Sequence, residues 1–150
     1  MNNVYLRAAT ADAQAAIRRL IYAERLNPIG LAWPRFVVAE SGGEVVGIGQ
    51  IKVLGDGTRE LASLAVLPAQ QGNGVGSTLA WTLISRTPGP LYLRCASHNE
   101  SYYHRFGFVT LAAEQMPRSL RRIYRVANAA VGLYNRLTGE SERMLIMGRL

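Results

Sequence analysis

Residues 60–77 constrain this chain more than any other stretch. They read Glu60-Leu61-Ala62-Ser63-Leu64-Ala65-Val66-Leu67-Pro68-Ala69-Gln70-Gln71-Gly72-Asn73-Gly74-Val75-Gly76-Ser77. A strand-like apolar run stops at Pro68, because proline cannot donate to a sheet ladder. Three glycines then stand at alternate positions, and a helix-period segment begins at Ser77. Glycine reaches backbone conformations closed to other residues, so successive N–H groups can point into one concavity. The helix behind adds its own unpaired amides and the positive end of its dipole. Strand, turn and helix in that order make a seat for a phosphate or diphosphate. A plain tight strand-to-helix turn is the alternative.

The rest of the chain places this turn in a fold. Val4–Ala9 alternates as a first strand, and Thr10 is positioned to cap a helix running from Ala11 to about Leu26. Arg35–Glu40 and Glu44–Leu54 read as a hairpin joined around Ser41-Gly42-Gly43. Arg59–Leu67 is a fourth strand, Gly72–Gly76 the turn, and Ser77–Arg86 a helix. Leu91–Cys95, a short helix over Asn99–Phe106, Phe108–Leu111, a long helix over Arg118–Leu137 and a strand over Arg143–Leu150 complete the chain. Hairpin-linked strands come first and a strand-helix-strand crossover comes later. The expectation is an α/β (α+β) chain with a mixed, mostly antiparallel sheet in which strands four and five run parallel. No internal repeat or linker divides the 150 residues, which read as a single domain, 1–150.

Three phosphate motifs compete for the turn. A Walker A loop needs Gly-Lys-Ser/Thr, and no lysine is present. A dinucleotide fingerprint wants an acid at the end of the next strand, and Leu91–Cys95 ends without one. The third is Gln/Arg-x-x-Gly-x-Gly/Ala, met by Gln71, Gly74 and Gly76. This resembles the pyrophosphate loop of the GNAT superfamily of N-acetyltransferases. Leu64-Ala65-Val66-x-Pro68 precedes it at that family's usual distance. Tyr103-His104-Arg105-Phe106-Gly107-Phe108 is similar to the family's Tyr-x-x-x-Gly-Phe segment, and the element order agrees along nearly the whole chain.

The resemblance implies acetyl transfer from acetyl-CoA to an amine. It assigns the diphosphate to Gln71, Gly72, Asn73, Gly74, Val75, Gly76 and Ser77. It lays the pantetheine arm along Leu64, Ala65 and Val66, in the splay between strands four and five, with the Val66 amide as oxyanion donor aimed by a bulge. Glu60 stands eleven residues before Gln71, where histone-acetylating members carry a catalytic glutamate. An aliphatic amine with a pKa of about 10.4 is protonated at neutral pH, so a base or a water relay is needed. Strict alternation would put Glu60, Ala62, Leu64 and Val66 on one face. The competing reading of Glu60 is an ion pair with Arg59 or Arg94. Tyr103 is the candidate acid toward the leaving thiolate, and a core aromatic is its alternative. Members with a CoA-contacting asparagine carry it seven residues before the tyrosine. Here that position is Ala96, and Asn99 is kept as a CoA contact or a helix cap.

Other chemistries find little support. Cys95 is the only cysteine, so no intrachain disulfide forms, and a strand cysteine is commonly buried and inert. His98 and His104 lack metal-ligand spacing with any Cys or acid cluster, so no metal is expected. The opening Met1-Asn2-Asn3-Val4 lacks a charged segment followed by an apolar run, and no stretch approaches the roughly 20 apolar residues of a span. A cytoplasmic location is the expectation.

The net charge of +7 rests almost wholly on arginine, Lys52 being the one lysine. Nucleic acid is disfavoured, because no aromatics interleave a basic groove. Arg118, Arg121, Arg122, Arg125 and Arg136 share one segment without an acid. They suit a solvated face, an acidic or carboxylate-bearing acceptor, CoA phosphate, a dimer face or a membrane surface. By resemblance the acceptor lies between Asn27–Phe36, which includes Trp33, and Glu114–Glu140. A monomer and a homodimer both fit. The remaining alternatives are a non-catalytic acyl-CoA-binding regulatory domain and a basic nucleic-acid or membrane-surface binder.

Overall fold

The structure is a computed structural model describing residues 3–150. Met1 and Asn2, which open the segment read above as leader-free, lie outside it. The strands are β1 (Val4–Ala8), β2 (Phe36–Ser41), β3 (Glu44–Val53), β4 (Arg59–Val66), β5 (Leu91–Ala96), β6 (Val109–Thr110) and β7 (Met144–Arg149). The α-helices are α1 (Gln14–Ala23), α2 (Val75–Ser85), α3 (Glu100–His104) and α4 (Arg118–Thr138). The strands form a seven-stranded sheet in the order β1-β2-β3-β4-β5-β7-β6. β4 and β5 run parallel, whereas β1–β2, β2–β3, β5–β7 and β6–β7 are antiparallel. The expected mixed sheet with one parallel crossover is therefore present. The parallel ladder registers one pair, Glu60 with Tyr92.

The chain divides into two compact units. The first comprises Met1–Lys52 and Leu61–Pro88. Ile17, Leu20 and Ile21 of α1 pack with Phe36, Val38, Ile48 and Ala65. Each such side chain taken fully out of water contributes roughly 1.5–3 kcal/mol. α1 stops at Ala23, three residues short of the expected Leu26. Arg25 takes a left-handed conformation (φ 53). Its N–H bonds to Tyr22 O, and the Leu26 N–H bonds to Ile21 O. That pair of bonds is a Schellman stop, with arginine where glycine is usual, and Leu26 packs onto the core behind it. Thr10 stands before the opening 3-10 turn, but its hydroxyl bonds to Asp12 rather than to an amide.

The second unit comprises Val53–Glu60 and Gly89–Leu150. Leu111, Met116, Leu120 and Ile146 form its core, with Tyr92, Ile123, Tyr124 and Met144 packed against it. α3 covers only five residues, fewer than expected over Asn99–Phe106. α4 is pinned to β7 by Asn128, which donates to Met144 O and accepts from the Met144 N–H. The amide of Ser119, in the first turn of α4, is satisfied from far away in sequence: it donates to Asp56 Oδ2 at 3.0 Å. Bonds from Thr58 and Ser119 hold the Asp56 carboxyl well below the usual carboxylate range.

Candidate active site

The glycine turn has the backbone its sequence demands. Gly72 (φ +80) and Gly74 (φ +82) are left-handed, a conformation costing an L residue about 1–2 kcal/mol. A Cβ at either position would meet nothing within 4 Å, so the turn lies open. α2 begins at Val75, two residues before the expected Ser77, with Gly74 as its N-cap. Gly76 and Ser77 thus belong to its first turn. The first bond of that helix runs from Thr78 N–H to Gly74 O. Among the described residues, no acceptor meets the amides of Gly72, Asn73, Gly74, Val75, Gly76 and Ser77. Unmet donors at a helix start are matched to an anion. The Val75 side chain is buried, so Val75 offers its amide alone. A cleft of about 730 Å³ opens beside the turn, with Asn73, Gly74, Val75 and Thr78 in its wall.

Gln71 has a different place from its neighbours. Its side-chain amide donates to the Val66 carbonyl at 3.0 Å. It thereby ties the turn to the end of β4, where Leu64, Ala65 and Val66 lie. Ser63, just ahead of them, is left-handed (φ 58) in mid-strand. A non-glycine residue there costs about 1–3 kcal/mol, and it interrupts the extended run as a bulge would. The expected strict alternation is not kept: burial falls on Glu60, Leu61 and Ala65 rather than on every second residue.

Gln50 is fully buried on β3. Its side-chain amide donates to Ser63 Oγ at 2.8 Å and to Gly30 O at 3.0 Å. One side chain thus joins the kinked residue of β4 to the connection after α1. That connection is held elsewhere as well. Gln14 donates to Leu31 O and accepts from the Trp33 N–H, and Lys52 Nζ donates to Ile29 O. Trp33 packs partly buried against the first core. Sequence reading missed Gln14, Gln50 and Ser63. A glutamine in a strand of otherwise apolar pattern was the available signal for Gln50.

Glu60, Asn99 and Tyr103 lie in the second unit. Glu60 is 3% exposed and paired: Arg94 Nε and Nη2 approach its Oε1 at 3.1 and 2.9 Å. This is the ion pair weighed against the base role. Glu60 Oε2 is buried without a hydrogen-bond partner. Tyr103 packs edge-on to Tyr102, with ring centroids 5.1 Å apart, and to Phe108 at 6.4 Å. Burial, with Cys95 and Tyr102 nearby, pushes its phenol well above the usual value, so Tyr103 stays protonated. Asn99 precedes α3 in the N-cap position, exposed, and its side chain makes no capping bond. Cys95 is buried beside Met147, and burial together with Glu100 pushes its thiol up to about 11. A thiol so protonated is a poor nucleophile at neutral pH. His98 pairs with Glu142 at 3.1 Å, and His104 Nδ1 lies 3.0 Å from Phe108 O.

Comparison with known proteins bears on the fold and the family. No curated protein matches the chain by sequence. Among solved structures, N-acetylglutamate synthase from Neisseria gonorrhoeae complexed with coenzyme A and L-arginine superposes with a TM-score of 0.71 at 21% identity, over 95% of this chain. The same enzyme complexed with coenzyme A and N-acetyl-glutamate gives 0.70 at 20% identity, over 99% of this chain. The chain spans only 32% and 35% of those two longer chains. Rv2747 from Mycobacterium tuberculosis in complex with CoA gives 0.67 at 21% identity, covering 95% of this chain and 97% of that one. At such identities the likeness establishes the fold. The sequence model of the acetyltransferase (GNAT) family matches residues 5–108, a stretch that contains β4, the open turn and the Tyr103–Phe108 segment. With the turn, its free amides and that match in agreement, the chain belongs to the acetyltransferase (GNAT) family.

Proposed function

We propose that this protein transfers an acetyl group from acetyl-CoA to a primary amine of a small molecule or protein, by direct attack while both are bound. The observation that carries this reading is the run of unclaimed amides from Gly72 to Ser77. Those amides would hold the diphosphate, with Gln71 bracing the turn against Val66. Leu64, Ala65 and Val66 would line the thioester arm, with the Val66 amide facing the carbonyl oxygen. Coenzyme A supplies the activated acyl group as a thioester. The attacking amine must lose a proton, and Glu60 Oε2 is our candidate acceptor, directly or through a water. Tyr103 stays neutral, so its role is to donate a hydrogen bond to the departing thiolate. A phenol with a raised pKa donates such a bond more readily than it gives up the proton.

The acceptor is proposed to carry a carboxylate or other acidic group. The net charge of +7 supports this. So do the amino-acid ligands named with the gonococcal enzyme. A second reading is a CoA-binding domain without turnover. The Glu60–Arg94 pair favours it, because Oε1 of the carboxylate is already occupied by a guanidinium.

Calorimetry with coenzyme A and acetyl-CoA, followed by thioester cleavage over a panel of amino acids and polyamines, tests both. The expected result is CoA binding and turnover with carboxylate-bearing amines. Glu60→Gln should lower kcat by roughly 100-fold without weakening CoA. Binding with no turnover on any amine favours the second reading. No heat with either form of the coenzyme overturns both.

A further inference from the structure

Two faces of α4 lead different lives. Leu120 is fully buried, and Ile123, Tyr124 and Asn128 face the second core and β7. The outer face carries a second apolar row that sequence reading passed over. Val126, Leu133 and Leu137 recur at steps of seven and four and are 70%, 60% and 79% exposed. Tyr134, at the edge of that row, is itself 53% exposed. Beside it runs a basic row. Arg118, Arg122 and Arg125 follow at steps of four and three, and Arg136 continues the line three turns later. These four make no hydrogen bond or ion pair among the described residues, and no acid occurs from residue 115 to residue 139.

Arg121 is different: it donates to the carbonyls of Ala113, Glu114 and Met116 and so belongs to the fold. Arg118, in the first turn, opposes the helix dipole, so helix stability does not explain it, whereas Arg136 in the last turn suits the dipole. We infer that this face docks the protein on an anionic lipid surface, the guanidiniums meeting headgroup phosphates while Val126, Leu133 and Leu137 enter the boundary layer beneath them.

The chemistry selects this occupant over two others. A second copy meeting through the same face would set guanidinium row against guanidinium row with no carboxylate between. An acidic protein would need a groove shaped to a convex helix already half packed on β7. A bilayer needs no groove, because its headgroups move to meet the charges. Apolar side chains beside a basic row are the two components that interfacial helices combine. Among the described residues no helix is long and apolar enough to cross a membrane, so α4 would lie along the surface.

Co-sedimentation of the whole chain with phosphatidylcholine vesicles, and with vesicles of phosphatidylcholine and phosphatidylglycerol, tests the inference. Binding is expected to the anionic vesicles, weakening as salt screens the charges. Each of Arg122→Gln and Arg125→Gln should lower partitioning about fivefold. Leu133→Asp should lower it further while leaving helicity and CoA binding unchanged, which separates lost docking from lost folding and from any fault in the acetyltransferase reading. Three results overturn the inference: no sedimentation with anionic vesicles, equal sedimentation with neutral ones, or a concentration-dependent dimer that Leu133→Asp abolishes.

Discussion

Two loops of the first unit use their backbone in opposite ways. In the turn from Gly72 to Ser77 the amides meet no acceptor among the described residues, so the loop has donors to offer. In the connection after α1, the carbonyls of Ile29, Gly30 and Leu31 are each claimed by a side chain, from Lys52, Gln50 and Gln14. The first loop is built locally, by glycines and a helix start. The second is irregular in sequence and owes its shape to side chains on α1 and β3. A loop with free donors is completed by a ligand. A loop whose polar groups are already paired can instead act as a rigid wall.

The sharpest challenge to this contrast lies at Glu60 in the second unit, whose Oε1 is likewise paired. Arg94→Met would strand the buried Glu60 carboxylate, and a loss of about 3–5 kcal/mol is expected in denaturant melts. Glu60→Gln with Arg94→Met should recover most of that loss, since no unpaired charge remains. Next comes the open turn. Gly74→Val forces a β-branched residue into a left-handed position, and calorimetry should show CoA affinity falling about 100-fold, as expected for losing a charge-assisted bond or two. Stability should fall only about 1–2 kcal/mol.

Gln50→Leu probes the tied loop. It removes the bonds to Gly30 and Ser63 and should cost about 1–3 kcal/mol, with CoA affinity unchanged and the acceptor KM raised. Equal effects of Gly74→Val and Gln50→Leu on CoA affinity would erase the contrast between the loops.

The smallest effect concerns Glu142, whose carboxyl Ser97 and His98 hold down at about 2. A carboxyl with a depressed folded-state pKa contributes stability above its ordinary value near 4.5, and that contribution fades as pH falls toward about 2. Glu142→Gln should flatten that part of the acid-denaturation profile.

Much of the fold was legible because its signals are local. Gly42-Gly43 marks the hairpin, Pro68 ends β4, and the glycines at 72 and 74 announce a turn that only they adopt cheaply. The boundaries that were misread have non-local or atypical causes. α1 ends early because Arg25 occupies a position usually given to glycine. The alternation of β4 is not kept, and its Ser63 is an ordinary residue in an uncommon conformation that has a buried glutamine against its hydroxyl. Asp56 meets the start of α4 from 63 residues away, which no local pattern can announce.

The candidate site divides along the same line. The sequence alone determined the open glycine turn, since its shape is backbone chemistry and its residues are neighbours in the chain. Only the tertiary structure decided that Glu60 is paired with Arg94 and that Gln50 links β4 to the loop after α1. Each of these depends on burial and on partners distant in sequence. The strength of a charge or a hydrogen bond follows from its surroundings, and those exist only once the chain has folded.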